Sequence, residues 1–163
     1  MKDQRNSVLF VCLGNICRSP AAEGVLQSLI AERSLGDRIR VDSAGTAGYH
    51  IGKPADPRMQ AAASRRGIML TSRSRLVMPS DMEEFDLVLA MDRDNYRELL
   101  SMVRERGRDH VRLLSDFLEE SWPREVPDPY YGGDDGFEFV LDMLQAACPA
   151  ILDSLEQLRQ RAG

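Results

Sequence analysis

Apolar residues in this chain fall into two patterns: short unbroken runs, and longer stretches in which they return every third or fourth position. The runs at 8–11, 87–90 and 111–114, joined by a more polar one at 40–43, predict four short strands. Between and after them, helical spacing predicts helices over 20–34, 57–66, 94–105 and 137–159. The last is the most strongly patterned. Phe137, Val140, Leu141, Leu144, Ile151, Leu155 and Leu158 give it one core face, and Pro149 is expected to kink it. Strands and helices alternate with no repeat, low-complexity tract or linker, so the expected architecture is α/β, a small four-stranded parallel sheet flanked by helices. One domain over 1–163 is expected, with 1–6 and 160–163 as loose ends.

Composition narrows the function more than the fold. A chain of 163 residues can bury about two-thirds of the surface it exposes when unfolded, so disulfide staples are not needed. The net charge of −5, with only two lysines and with arginines interspersed among acids, argues against general nucleic-acid binding. The polar start at 1–7 and the short apolar run at 8–13 lack a secretory core, and no stretch approaches the roughly 20 apolar residues of a membrane span. A cytoplasmic, reducing location is the resulting expectation, with the cysteines free. His50 and His110 stand far apart with no clustered ligand spacing, so neither a metal nor another cofactor is expected.

The chemistry concentrates where the first strand ends, in Val-Cys-Leu-Gly-Asn-Ile-Cys-Arg-Ser-Pro at 11–20. The Cys12-to-Arg18 spacing alone carries little weight, since roughly a third of shuffled chains of this composition would contain it. Its context carries more. A strand delivers the Cys12 sulfur to the loop, and the following helix turns free N–H groups and its positive dipole end toward the same place. Gly14 permits close approach to a ligand, Asn15 tolerates the left-handed conformation that turns amides inward, and Ser19-Pro20 reads as an N-cap and first helical residue. The expected occupant is a phosphate, bonded by the amides of Leu13, Gly14, Asn15, Ile16, Cys17 and Arg18 and clamped by the planar Arg18 fork. A nucleotide P-loop is excluded, because no Gly-Lys-Ser/Thr follows a glycine here. In an open α/β sheet, the loop after the first strand also lies where ligands bind.

Phosphoryl transfer to sulfur needs an ionised sulfur, a clamp for the non-bridging oxygens and an acid for the leaving oxygen. Cys12 and Arg18 supply the first two, and Ser19 can donate a hydrogen bond to the sulfur. For the acid, Pro127-Asp128-Pro129-Tyr130-Tyr131 is the outstanding segment, because its prolines would hold the Asp128 carboxyl on an extended, rigid backbone. Asp56, Asp92 and Asp94 read instead as helix caps.

Taken together, the chain resembles the low-molecular-weight protein tyrosine phosphatases over roughly 8–158. The likeness rests on the 11–20 segment, Asp-Ser-Ala-Gly-Thr at 42–46, Tyr-His-Ile-Gly at 49–52, Ala-Met-Asp at 90–92 and the Asp128 loop. It implies a flavodoxin-like doubly wound sheet, with Cys12 as nucleophile, Arg18 as clamp, and Asp128 as acid and then base. It also implies that Asn15, Ser19 and Ser43 form a hydrogen-bonding network shaping the loop, and that the reaction passes through a cysteinyl phosphate without metal. Tyr49 and Tyr130 would wall a crevice deep enough to favour phosphotyrosine over phosphoserine, and Cys17 would be a redox partner for Cys12. Ser72 stands where animal members typically carry His, which points to a bacterial-type member. The substrates implied are phosphotyrosine proteins, a bacterial tyrosine kinase or a host protein among them, acted on by a monomer or weak homodimer. The rivals are an arsenate reductase of the same fold, whose relay cysteines are lacking after Gly67, and a non-catalytic phosphotyrosine-binding module, which would have lost Cys12 or Asp128.

Overall fold

The computed structural model describes residues 4–162. Four parallel strands, β1 (Asn6–Cys12), β2 (Ile39–Gly45), β3 (Leu87–Ala90) and β4 (Val111–Leu113), form a sheet in the order β2-β1-β3-β4. The expected parallel α/β sheet is therefore present. The chain leaves β1 toward one neighbour and returns on its other side at β3, which opens a crevice at the carboxyl end of β1.

β1 is buried on both faces, and its period of two sorts the side chains between two cores. Val8, Phe10 and Cys12 face α1 (Arg18–Glu32), α2 (Pro57–Ser64) and α5 (Asp134–Ala162). Leu9 and Val11 face the opposite way, toward α3 (Asp81–Glu84) and α4 (Arg93–Leu100), where Met82, Phe85 and Leu99 are buried. Cys12, last in the strand, thus sits with its sulfur on the α1 side and its backbone at the sheet edge where the loop begins.

Several boundaries differ from the sequence expectation. α1 begins at Arg18, with Cys17 at the cap position, so Ser19 and Pro20 lie inside the first turn rather than at its cap. Proline is tolerated there because first-turn N–H groups have no partner within the helix. The same helix stops at Glu32, before Ser34, which has φ 57°. α4 covers 93–100 only; a turn and a 3-10 segment (Glu105–His110) replace its expected end, and Asp94 lies in its first turn rather than at the cap. α5 runs continuously from Asp134 to Ala162 through Pro149. Its stripe is buried as expected, except that Leu158 is 37% exposed.

Of the expected loose ends, 1–3 and 163 lie outside the described residues. Asn6 already belongs to β1, and its side chain donates to Leu155 O at 2.6 Å, while 160–162 continue α5. Among the described residues, no helix is long and apolar enough to cross a membrane.

Candidate active site

The loop between β1 and α1 is held from outside by its carbonyls. Thr46 N–H donates to Cys12 O (3.0 Å), Ala47 N–H to Leu13 O (2.9 Å) and Asp56 N–H to Ile16 O (2.8 Å). The Ser74 hydroxyl donates to Gly14 O (3.0 Å), and Ala21 N–H takes up Cys17 O (3.2 Å). The described chain has no cis peptides, and in a trans peptide the N–H points opposite to the C=O. Carbonyls pulled outward therefore turn the amides of Leu13, Gly14, Asn15, Cys17 and Arg18 toward the concave side. Asn15 makes the bend with φ 56°. Two glycines make room: a Cβ on Gly45 would lie 2.8 Å from Leu13 O, and one on Gly14 would lie 3.0 Å from the His50 ring.

Behind the loop, Asn15 is buried and ties two elements together. Its Oδ1 accepts from Arg75 N–H (3.0 Å), and its Nδ2 donates to Ser19 Oγ (2.7 Å). Ser19 Oγ lies 3.0 Å from Cys12 Sγ and 3.4 Å from Ala44 O. Having accepted from Asn15, Ser19 has a single proton to give, and the sulfur is its nearer acceptor once ionised. Ser43, expected to link to Asn15 and Ser19, donates its hydroxyl instead to the buried carboxyl of Glu23, at Oε1 (2.6 Å), one helical turn beyond Ser19. Burial pushes the Glu23 carboxyl above its ordinary range, against the hydrogen bonds from Ser43, Ser72 and Gln27 that pull it down.

Arg18 is 3% exposed and faces three acceptors. Its Nη1 donates to Asp92 Oδ2 (2.7 Å) and to Val126 O (3.1 Å), and its Nη2 lies 3.6 Å from Asp128 Oδ2. Burial opposes the guanidinium charge, but Cys12, Asp92 and Asp128 outweigh it and raise the pKa further above its usual value. Asp92 caps α4 as expected, its Oδ1 accepting from Asn95 N–H (2.8 Å); the role the sequence reading missed belongs to its other oxygen, which holds Arg18.

Cys12, Leu13, Gly14, Ile16, Cys17, Arg18, Tyr49, Asp128 and Tyr130 all line one cleft, joined by His50 and Tyr131. His50 stands between the two walls, 6.5 Å from the Tyr49 ring and 6.0 Å from that of Tyr130. Tyr131 packs edge-on against Tyr130 at 4.9 Å and is 92% exposed. The Asp128 carboxyl is 37% exposed and accepts from Tyr130 N–H (3.0 Å) in a local turn. All three cysteines are free. Burial, then Asp56 and Cys12, push the Cys17 thiol far above its ordinary range, and burial alone takes Cys148 to about 12. Both are therefore neutral at physiological pH and poor nucleophiles.

The comparisons with known proteins agree with this geometry. Residues 7–161 match the family model for low molecular weight phosphotyrosine protein phosphatases. YfkJ of Bacillus subtilis, a low molecular weight protein-tyrosine-phosphatase, is 41% identical over 155 residues, covering 94% of this chain and 98% of that protein. A solved protein tyrosine phosphatase from Entamoeba histolytica superposes with a TM-score of 0.90 at 45% identity, covering 94% of this chain and 99% of that one. A solved Drosophila arginine phosphatase is also similar, with a TM-score of 0.84 at 30% identity, covering 90% and 96%. The chain belongs to the low molecular weight phosphotyrosine protein phosphatase family.

Proposed function

We propose that this protein hydrolyses phosphotyrosine in proteins through a phosphocysteine formed on Cys12. The Cys12 sulfur attacks phosphorus, the bond from phosphorus to the phenolic oxygen breaks, and Asp128 gives its proton to that oxygen. Water then attacks the phosphocysteine, Asp128 takes the water's proton, and the sulfur leaves with the electron pair of its bond to phosphorus. During both steps the inward amides and Arg18 bond the three non-bridging oxygens, where charge is held in the transition state. With Nη1 committed to Asp92 and Val126 O, the guanidinium is fixed in roll and turns its Nε–Nη2 edge to the phosphate.

The observation that carries this reading is the convergence on one cleft of Cys12 and Arg18, from the two ends of one loop, and Asp128 from a distant segment. The walls of Tyr49, His50 and Tyr130 fit a flat aromatic ester better than the short arm of phosphoserine or the flexible arm of phosphoarginine. Cysteine-free residues 68–77 favour a hydrolase over an arsenate reductase, because their Ser74 and Arg75 brace the loop and carry no relay thiol. A reducing, cytoplasmic setting suits a catalytic thiol.

The test is hydrolysis, with a chelator present, of peptides carrying phosphotyrosine, phosphoserine or phosphoarginine, followed by arsenate with thiol reductants. Turnover of the phosphotyrosine peptide at least about 10²-fold faster than the others is expected, with no arsenate reduction. Preference for phosphoarginine, or thiol-dependent arsenate reduction, would overturn the reading.

A further inference from the structure

Asp128 sits between two anchors, and the phosphate chemistry accounts for only one. On its chain-start side, Val126 N–H donates to Met91 O (2.8 Å) and Val126 O accepts from Arg18 (3.1 Å). On the other side the holder is Arg58, a residue of α2 outside the phosphate loop. Its Nη2 donates to Tyr130 O at 3.0 Å, and its guanidinium lies over the rings of Tyr130 (5.4 Å) and Phe137 (4.8 Å).

Arg58 is itself held. Its Nε and Nη2 form a two-pronged pair with Asp56, at 3.1 and 2.9 Å, and the Asp56 carboxyl is only 7% exposed. Asp56 also caps α2 by accepting from Arg58 N–H (2.8 Å), and its own N–H donates to Ile16 O (2.8 Å) in the phosphate loop. A continuous chain of hydrogen bonds therefore runs from the loop that would cradle the phosphate, through Asp56 and Arg58, to the turn that carries the acid. The guanidinium suits this place because one planar fork can bind a carboxylate, donate to a carbonyl and stack on a ring at once, which an ammonium cannot.

We propose that Arg58 is a positioning residue for the acid step, setting where the Asp128 carboxyl stands relative to the leaving oxygen. The proposal rests on the role of Asp128 given above. Arg58 touches neither phosphate nor the reacting atoms, so its removal reaches the chemistry through the turn that carries Asp128, and phosphate inhibition reports any effect that Asp56 passes to the loop. Losing the second anchor lets the 128–131 turn drift, and proton delivery falls off steeply with such displacement. An effect of this kind depends on how badly the leaving group needs a proton, whereas a general loosening of the fold does not.

The experiment compares Arg58→Ala, Asp128→Asn and the double variant on phenyl phosphate and dinitrophenyl phosphate, with inorganic phosphate inhibition as a check on the loop. Arg58→Ala is expected to lower kcat on phenyl phosphate about tenfold, and on dinitrophenyl phosphate less than about twofold, with phosphate inhibition unchanged. In the Asp128→Asn background the same change should cost less than about twofold on either substrate. Should Arg58→Ala not fold, Arg58→Gln, which keeps an N–H donor, is expected to show the same leaving-group dependence in weaker form. Equal slowing of both substrates, or full additivity with Asp128→Asn, overturns the positioning role while leaving the acid in place. If Asp128→Asn itself slows both substrates equally, the acid assignment fails and the role of Arg58 falls with it.

Discussion

At the scale of single residues, Arg18 carries the most constraint, because its three acceptors come from two loops, one carrying Asp92 and the other Val126 and Asp128. Arg18→Lys keeps the charge but has no planar fork to reach Asp92 and Val126 O while turning an edge to the phosphate. A loss of about 10²-fold or more in kcat/KM on a phosphotyrosine peptide is expected, and steady-state kinetics would check it. The meeting of Cys12, Arg18 and Asp128 in one cleft was legible in the sequence because all three stand in recognisable local settings, two at the ends of a strand-to-helix loop and one between prolines. Asp92 was legible only by half. Its cap follows from the helix start that comes after it, but its second oxygen serves an arginine 74 positions earlier, and no local pattern encodes that contact. Ser74, Arg75 and Arg58 escaped for the same reason, since each acts through a contact with a distant segment: Ser74 and Arg58 donate to the carbonyls of Gly14 and Tyr130, and Arg75 N–H to the Asn15 side chain.

At the scale of elements, β3 was read to the residue, because four consecutive buried apolar positions leave little choice. α1 was read late by two residues, because Ser19-Pro20 looks like a cap and first turn while the Ser19 hydroxyl is engaged by Asn15 and Cys12 instead. The same helix also hides a polar burial that periodicity does not register. Glu23 is 7% exposed, enclosed with Ser43 and Ser72, and its carboxyl is raised above the ordinary value. Between the ordinary and the raised value the folded state holds more protons than the unfolded one, so stability falls as pH rises through that window. Below it both states are protonated, and the burden disappears. Glu23→Gln keeps an acceptor for Ser43 without the buried charge. Its melting temperature is expected to exceed that of the parent at pH 8, with the advantage shrinking toward pH 4. Thermal melts of both proteins across that range would check the prediction; a constant difference would contradict it.

At the scale of the molecule, the strand order does the assembling. With β1 flanked by β2 and β3, the carboxyl ends of the strands bring 12–18, 46–50, 74–75, 92 and 126–131 to one end of the sheet. The alternation of elements made the layers readable, but the pairing of Gly45 with Leu76, which carries Ser74 and Arg75 to the loop, depends on a connection without helical or strand periodicity. What the assembly accomplishes is to hold a sulfur, inward amides and one guanidinium around a phosphate-sized space. The central step of the proposed function is a covalent bond from phosphorus to the Cys12 sulfur. The direct measurement is rapid acid quenching of Asp128→Asn during turnover of an aryl phosphate, followed by intact mass and peptide mapping. One added phosphoryl group on the peptide containing Cys12, absent from Cys12→Ser, is the predicted result. Undiminished turnover by Cys12→Ser, with no phosphoryl group captured on the parent sulfur, would contradict the account.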